Sequence, residues 1–122
     1  EAYENNIIMS GVSAGAICWF KKGITDSWKD SQAIIDCLGF VEGICCPHYD
    51  EEPERIPYVK EILEANEITE CYGIEGYAAL HLIDDKPRYN ISFKKDTSCH
   101  HVFLGNNKVH HKNIDGTIEV DL

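Results

Sequence analysis

Apolar and polar residues follow one another in short blocks along this chain, and the blocks read as small elements of mixed type. Asn6-Ile7-Ile8-Met9 with Ser10 predicts a short buried strand. Residues 14 to about 22 predict a helix, with Gly23 as its stop and Lys21-Lys22 at the negative end of its dipole. Thr25-Asp26-Ser27 is polar loop material, with a turn expected near Trp28. The apolar stretch 33–40 leads to a strand framed by Gly39 and Gly43 and ending near Cys46. Pro47 then breaks the pattern and puts His48 on a loop. Pro53-Glu54-Arg55 opens a second helix running to about Ala65. Its apolar stripe is Ile56, Val59, Ile62 and Leu63, and acidic residues crowd its first turn. Strands are expected within 68–74, 77–83, 89–93, 102–104 and 118–120. Asp84-Asp85-Lys86-Pro87 and Asn106-Asn107 are turn-like, so antiparallel hairpins belong toward the C-terminal end.

The 122 residues, 43% hydrophobic, suit one small domain or a piece of a larger one. A net charge of -10 disfavours nucleic acid and anionic membrane surfaces as partners. No run approaches the roughly 18–20 apolar residues of a membrane span. The six cysteines, Cys18, Cys37, Cys45, Cys46, Cys71 and Cys99, mostly sit in apolar segments and form no C-x-x-C pair. With no secretory leader pattern in this stretch, the expectation is reduced thiols in a cytoplasmic protein.

Chemistry concentrates at Gly11-Val12-Ser13-Ala14-Gly15-Ala16, directly after the first predicted strand. A strand ending in G-x-S-x-G and reopening as a helix forces its serine into a sharp, exposed turn, the nucleophile elbow. Side chains at the two glycine positions are expected to collide with neighbouring backbone. The Ala14 N–H would then face a forming oxyanion, with the helix dipole adding to the same spot. Ser13 needs a base, and His48 is the best placed of the six histidines, on a loop after a buried strand and beside Asp50-Glu51-Glu52. A carboxylate should orient the imidazole. Glu75, at a strand end between Gly73 and Gly76, and Asp26, in the loop after the predicted nucleophile helix, both qualify, and spacing does not separate them. The acidic run 50–54 reads as a solvated cap of the second helix that could also attract a substrate amine. His100-His101 and His110-His111 read as surface residues, because adjacent side chains on a strand point to opposite faces and cannot chelate one ion through both rings. His81 reads as a strand residue with a satisfied ring nitrogen. No metal or organic cofactor is expected.

Three segments together resemble the aspartyl dipeptidase (dipeptidase E) and cyanophycinase family of serine peptidases. They are Gly11-Val12-Ser13-Ala14-Gly15-Ala16, then Cys46-Pro47-His48-Tyr49-Asp50, then Gly73-Ile74-Glu75-Gly76-Tyr77-Ala78-Ala79-Leu80. Their order, Ser, His, Glu, separates them from α/β-hydrolases, in which the acid usually precedes the histidine. The resemblance implies an α/β, flavodoxin-like, class I glutamine amidotransferase-like open sheet. Residues 1–122 would form the C-terminal portion of a single peptidase domain, its N-terminal half absent. It further implies Ser13 as nucleophile, His48 as general acid/base and Glu75 as the orienting residue, with Asp26 near a further family aspartate. The substrate would be a small peptide.

Two other readings use the same residues: an esterase or amidase built on the same elbow, and an inactive scaffold or binding module. A parallel strand at residues 6–10 without neighbours would leave apolar edges bare, so association with a second copy, or an exchange of elements between copies, is expected.

Overall fold

The computed structural model describes residues 1–27 and 30–121; the turn expected near Trp28 lies outside them. The elements in order are α1 (Ala14–Ile17), β1 (Phe20–Thr25), β2 (Ala33–Asp36), β3 (Val41–Cys46), α2 (Arg55–Glu64), β4 (Glu70–Ile74), β5 (Ala78–Ile83), β6 (Lys86–Ser92), β7 (Cys99–Gly105), β8 (Lys108–Asn113) and β9 (Thr117–Glu119). A six-stranded sheet has the order β2-β1-β3-β4-β7-β8, and a smaller sheet has the order β5-β6-β9. In the large sheet β1, β3 and β4 run parallel, while β2, β7 and β8 join antiparallel at the margins. The architecture is mixed α/β with open sheets.

Parallel strands need a crossover, and β3–α2–β4 supplies one. Arg55, Val59, Ile62 and Leu63 form the buried face of α2, packed on Ile24, Ile44, Cys46 and Cys71 from the sheet. Ile56, expected in that stripe, is 49% exposed, and Arg55 takes the inward place. The opposite face carries Phe20, Val41, Cys45 and Tyr72, covered by Ile17 of α1 and by Leu80 and Leu82 of the small sheet. Cys45 and Cys46 thus serve opposite cores, as strand alternation requires. All six cysteines are free. Burial pushes the Cys45 thiol well up and that of Cys99 to about 12.

The helix after the elbow is much shorter than the expected 14–22. It ends at Ile17, and Lys21 and Lys22 belong to β1. Backbone pairing with β2 and β3 and the burial of Phe20 and Ile24 decide this, while the exposed Lys22–Asp36 (3.0 Å) and Lys21–Glu42 (3.6 Å) pairs add little. Gly23 is no helix stop. It sits mid-strand, where a Cβ would lie 1.8 Å from Ile17 Cγ2, so its bareness is what lets α1 seat on β1. The two hairpins have left-handed residues at both turn positions, Asp84 and Asp85 (φ 51° and 62°) and Asn106 and Asn107 (φ 52° and 59°). The second hairpin adds β8, which the pattern did not reveal.

Residues 6–10 pair with no strand among the described residues, contrary to expectation. A strand exists only where a neighbour takes its backbone hydrogen bonds, and none is adjacent here. Ile8 is 93% and Val12 86% exposed, with Ile7, Met9 and Leu38 adding to the bare apolar surface. Bare apolar surface of this kind is where association would be expected. Light scattering is expected to show a mass that rises with concentration, and a monomer at every concentration would count against it.

Candidate active site

Ser13 stands at the entry to α1 with φ 53° and ψ -118°, a conformation a side-chain-bearing residue keeps only where its surroundings hold it. The turn is closed by Gly15 N–H donating to Val12 O at 2.8 Å. A Cβ on Gly11 would lie 1.9 Å from Gly15 O, so the bend requires that glycine. Gly15 does not share the need: a Cβ there meets nothing within 4 Å, against the expectation of a clash at both positions. The hydroxyl projects into the open. Ala14 N–H makes no hydrogen bond among the described residues and remains available beside it. With a single turn in α1 the dipole adds little, and a local donor is what the elbow offers.

His48 follows the buried Pro47 at the carboxyl end of β3 and is itself left-handed, with φ 54°. Its Nε2 lies 3.0 Å from Ser13 Oγ, and its Nδ1 lies 2.5 Å from Glu51 Oε2. A proton on Nδ1, donated to the carboxylate, leaves the Nε2 lone pair to accept the serine O–H. The loop is docked on the end of β4. Tyr49 N–H donates to Ile74 O at 3.0 Å, and Gly76 N–H donates to Asp50 Oδ1 at 2.8 Å. The Gly73 and Gly76 positions supply the room. A Cβ on Gly73 would lie 2.6 Å from the Tyr49 ring, and one on Gly76 would lie 2.7 Å from the Glu51 carboxyl carbon.

Of the residues singled out from sequence, Ser13 and His48 meet. Glu75 and Asp26 make no hydrogen bond to that imidazole among the described residues. Glu75 accepts Ser98 N–H at 2.8 Å on one oxygen and holds His100 Nε2 at 2.6 Å on the other. Asp26 lines the same cleft as Ser13 and His48, and its Oδ1 is 3.5 Å from Arg55 Nη2. Glu51 was missed because it was grouped with a solvated helix cap. In fact α2 has no acidic residue in its first turn. Asp50 is spent on Gly76, Glu51 on His48, and Glu52 on Arg55 Nε at 3.0 Å. The usable signal was a carboxylate three residues from a loop histidine.

The paired histidines do alternate across the sheet. His100 faces Glu75, Tyr49 and His111, while His101 faces Glu70 and the Tyr72 ring. His100 is buried rather than on the surface. His81 is exposed on β5 against the Tyr89 ring, with no hydrogen bond to its nitrogens among the described residues. No group of three metal-ligating side chains converges among the described residues.

Residues 1–89 match the sequence profile of Peptidase family S51. The chain belongs to peptidase family S51. It is also 34% identical over 109 residues to "Uncharacterized peptidase YgaJ" of Bacillus subtilis (strain 168), an alignment covering 89% of this chain and 47% of that protein. The chain therefore spans about half the length of that relative. The S51 match takes in Ser13, Asp26, His48, Glu51 and Glu75 and stops inside β6, short of the histidine pairs.

Two outcomes follow from this geometry. Gly76→Ala presses on a flexible carboxyl rather than on backbone, so Tm should change by less than about 3 °C. Glu51 must move off His48, and a kcat lower by about tenfold or more is expected for peptide turnover. Unchanged kcat would remove Glu51 from the machinery. Burial, and next the His100 imidazole, push the His111 imidazole below its ordinary value, against a smaller upward pull from Glu75. Since the folded state then binds this proton less readily than the unfolded chain, His111 lends stability that is full above the ordinary imidazole range and is lost as pH falls through the depressed folded value. His111→Phe keeps a ring on Tyr49 and takes no proton. Its Tm should decline less than that of the wild type between about pH 7 and about pH 5; equal slopes would refute the assignment.

Proposed function

We propose that this chain carries the catalytic segment of a serine-type peptidase that hydrolyses small peptides through an acyl-enzyme on Ser13. The reading is supported above all by one distance, the 3.0 Å between Ser13 Oγ and His48 Nε2, with the far nitrogen of the same ring on a carboxylate. Membership of peptidase family S51 supports the reaction class.

In the first step His48 Nε2 takes the Ser13 proton as Oγ attacks the substrate carbonyl carbon. The carbonyl oxygen gains negative charge next to the free Ala14 N–H, which stabilises it. Glu51 keeps the imidazole in the tautomer that leaves Nε2 bare and then faces the imidazolium with negative charge. The tetrahedral intermediate collapses, the C–N bond breaks, and His48 gives its proton to the departing amine. A water, deprotonated by the same nitrogen, attacks the acyl ester. Its C–O bond breaks, and the carboxylic acid leaves as Ser13 recovers its proton. Asp26 and the buried Arg55 form the wall of this cleft. Glu75 acts outside the His48 pair, through His100.

Ser13→Ala is expected to lower peptide turnover by roughly 1000-fold or more and to abolish labelling by a fluorophosphonate. Tm should hold, because Ser13 is exposed. Turnover at the wild-type rate in that variant would overturn the mechanism. A large preference for ester over peptide substrates would shift the reading to an esterase, and a wild-type chain that neither turns over peptide nor takes up the probe would favour an inactive scaffold.

A further inference from the structure

His48 occupies a left-handed conformation (φ 54°), and contacts on two sides hold it. On one side is Glu51. On the other, the next residue, Tyr49, is 2% exposed and plugs the space left by Gly73. Its ring lies 5.3 Å from that of His100 and 5.9 Å from that of His111, and those two imidazoles stack at 4.6 Å. His100 is fixed in turn. Its Nε2 is 2.6 Å from Glu75 Oε1, and the other Glu75 oxygen accepts Ser98 N–H. The remaining ring nitrogen, Nδ1, is buried and has no hydrogen-bond partner among the described residues. With Nδ1 unpaired, the ring nitrogen that serves Glu75 is Nε2, which donates its proton to Oε1.

We infer that His100 is a positioning residue for His48, clamped by Glu75 and acting through the ring of Tyr49. The inference rests on the serine peptidase reading above and deepens it. It also gives a task to Glu75, whose oxygens go to His100 and Ser98 rather than to His48. The chain of contact is continuous: Glu75 to His100 by hydrogen bond, His100 to Tyr49 ring to ring, and Tyr49 to His48 through one peptide bond. The same β7 strand carries a built-in control. His101 pairs with Glu70 at 2.8 Å and stacks on Tyr72, on the opposite face and away from the loop. The two histidine–glutamate pairs share their chemistry, and only one of them touches Tyr49.

His100→Gln keeps a donor for Glu75 and removes the ring face. Fluorophosphonate labelling of Ser13 and kcat should each fall about tenfold, with KM within about twofold, since the loop rather than the substrate contacts is loosened. Amide hydrogen exchange at Tyr49 and Gly76 should quicken. His101→Gln should leave all of these at wild-type values. The inference is overturned if His100→Gln labels at the wild-type rate with unchanged exchange at Tyr49, or if His101→Gln reproduces the whole effect. Should His100→Gln fail to fold, Glu75→Gln takes its place, and quickened exchange at Tyr49 is again the expected result and unchanged exchange the contrary one. A wild type that never labels, combined with quickened exchange in His100→Gln, would sink the peptidase reading and leave the positioning role standing.

Discussion

The site depends on how the loop after β3 sits on the end of β4. Ser13 and His48 are 35 residues apart in sequence and both have positive φ, so neither would hold its place alone. The Tyr49 N–H on Ile74 O and the Asp50 carboxylate on Gly76 N–H tie the loop to the neighbouring parallel strand. The glycines at 73 and 76 are the counterpart of those bonds. They are bare so that a ring and a carboxylate can lie against the strand end. Because β1, β3 and β4 run parallel, Asp26, His48 and Glu75 all follow carboxyl ends on one edge of the sheet. That is the edge where open α/β sheets place their ligands.

Much of this was legible in the chain. The α2 helix, the strands from β3 onward except β8, and the two turns showed in period and turn residues, and the elbow serine and loop histidine were recognisable by type and context. The errors have physical causes. Ala14-Gly15-Ala16-Ile17-Cys18-Trp19 reads as a helix that should continue, but pairing with β2 and β3 on both edges draws Lys21 and Lys22 into a strand. Residues 6–10 have a strand's composition, yet composition does not create a neighbour. The β8 strand, Lys-Val-His-His-Lys-Asn, carries too little apolar alternation to announce itself, and its partner β7 is what makes it a strand.

The carboxylates show most clearly where one-dimensional reading stops. A run of acids before a helix has a ready meaning in dipole terms, and Glu75 between glycines has a ready meaning as a triad member. In three dimensions the run is divided among Gly76, His48 and Arg55. The glycines flanking Glu75 admit the loop rather than Glu75 itself. Only tertiary contact distinguishes these uses, because the residue types and spacings are compatible with both.

The S51 match closes at residue 89, within β6, yet β7 pairs along the whole of β4 and buries Cys99, His100 and Val102. The end of the family profile is therefore not a seam of the fold. Cutting the polypeptide there would strip the outer neighbour from the strand on which the imidazole loop rests. Swapping this tail among relatives would be expected to shift the seat of the His48 loop without altering a single residue that the family profile contains.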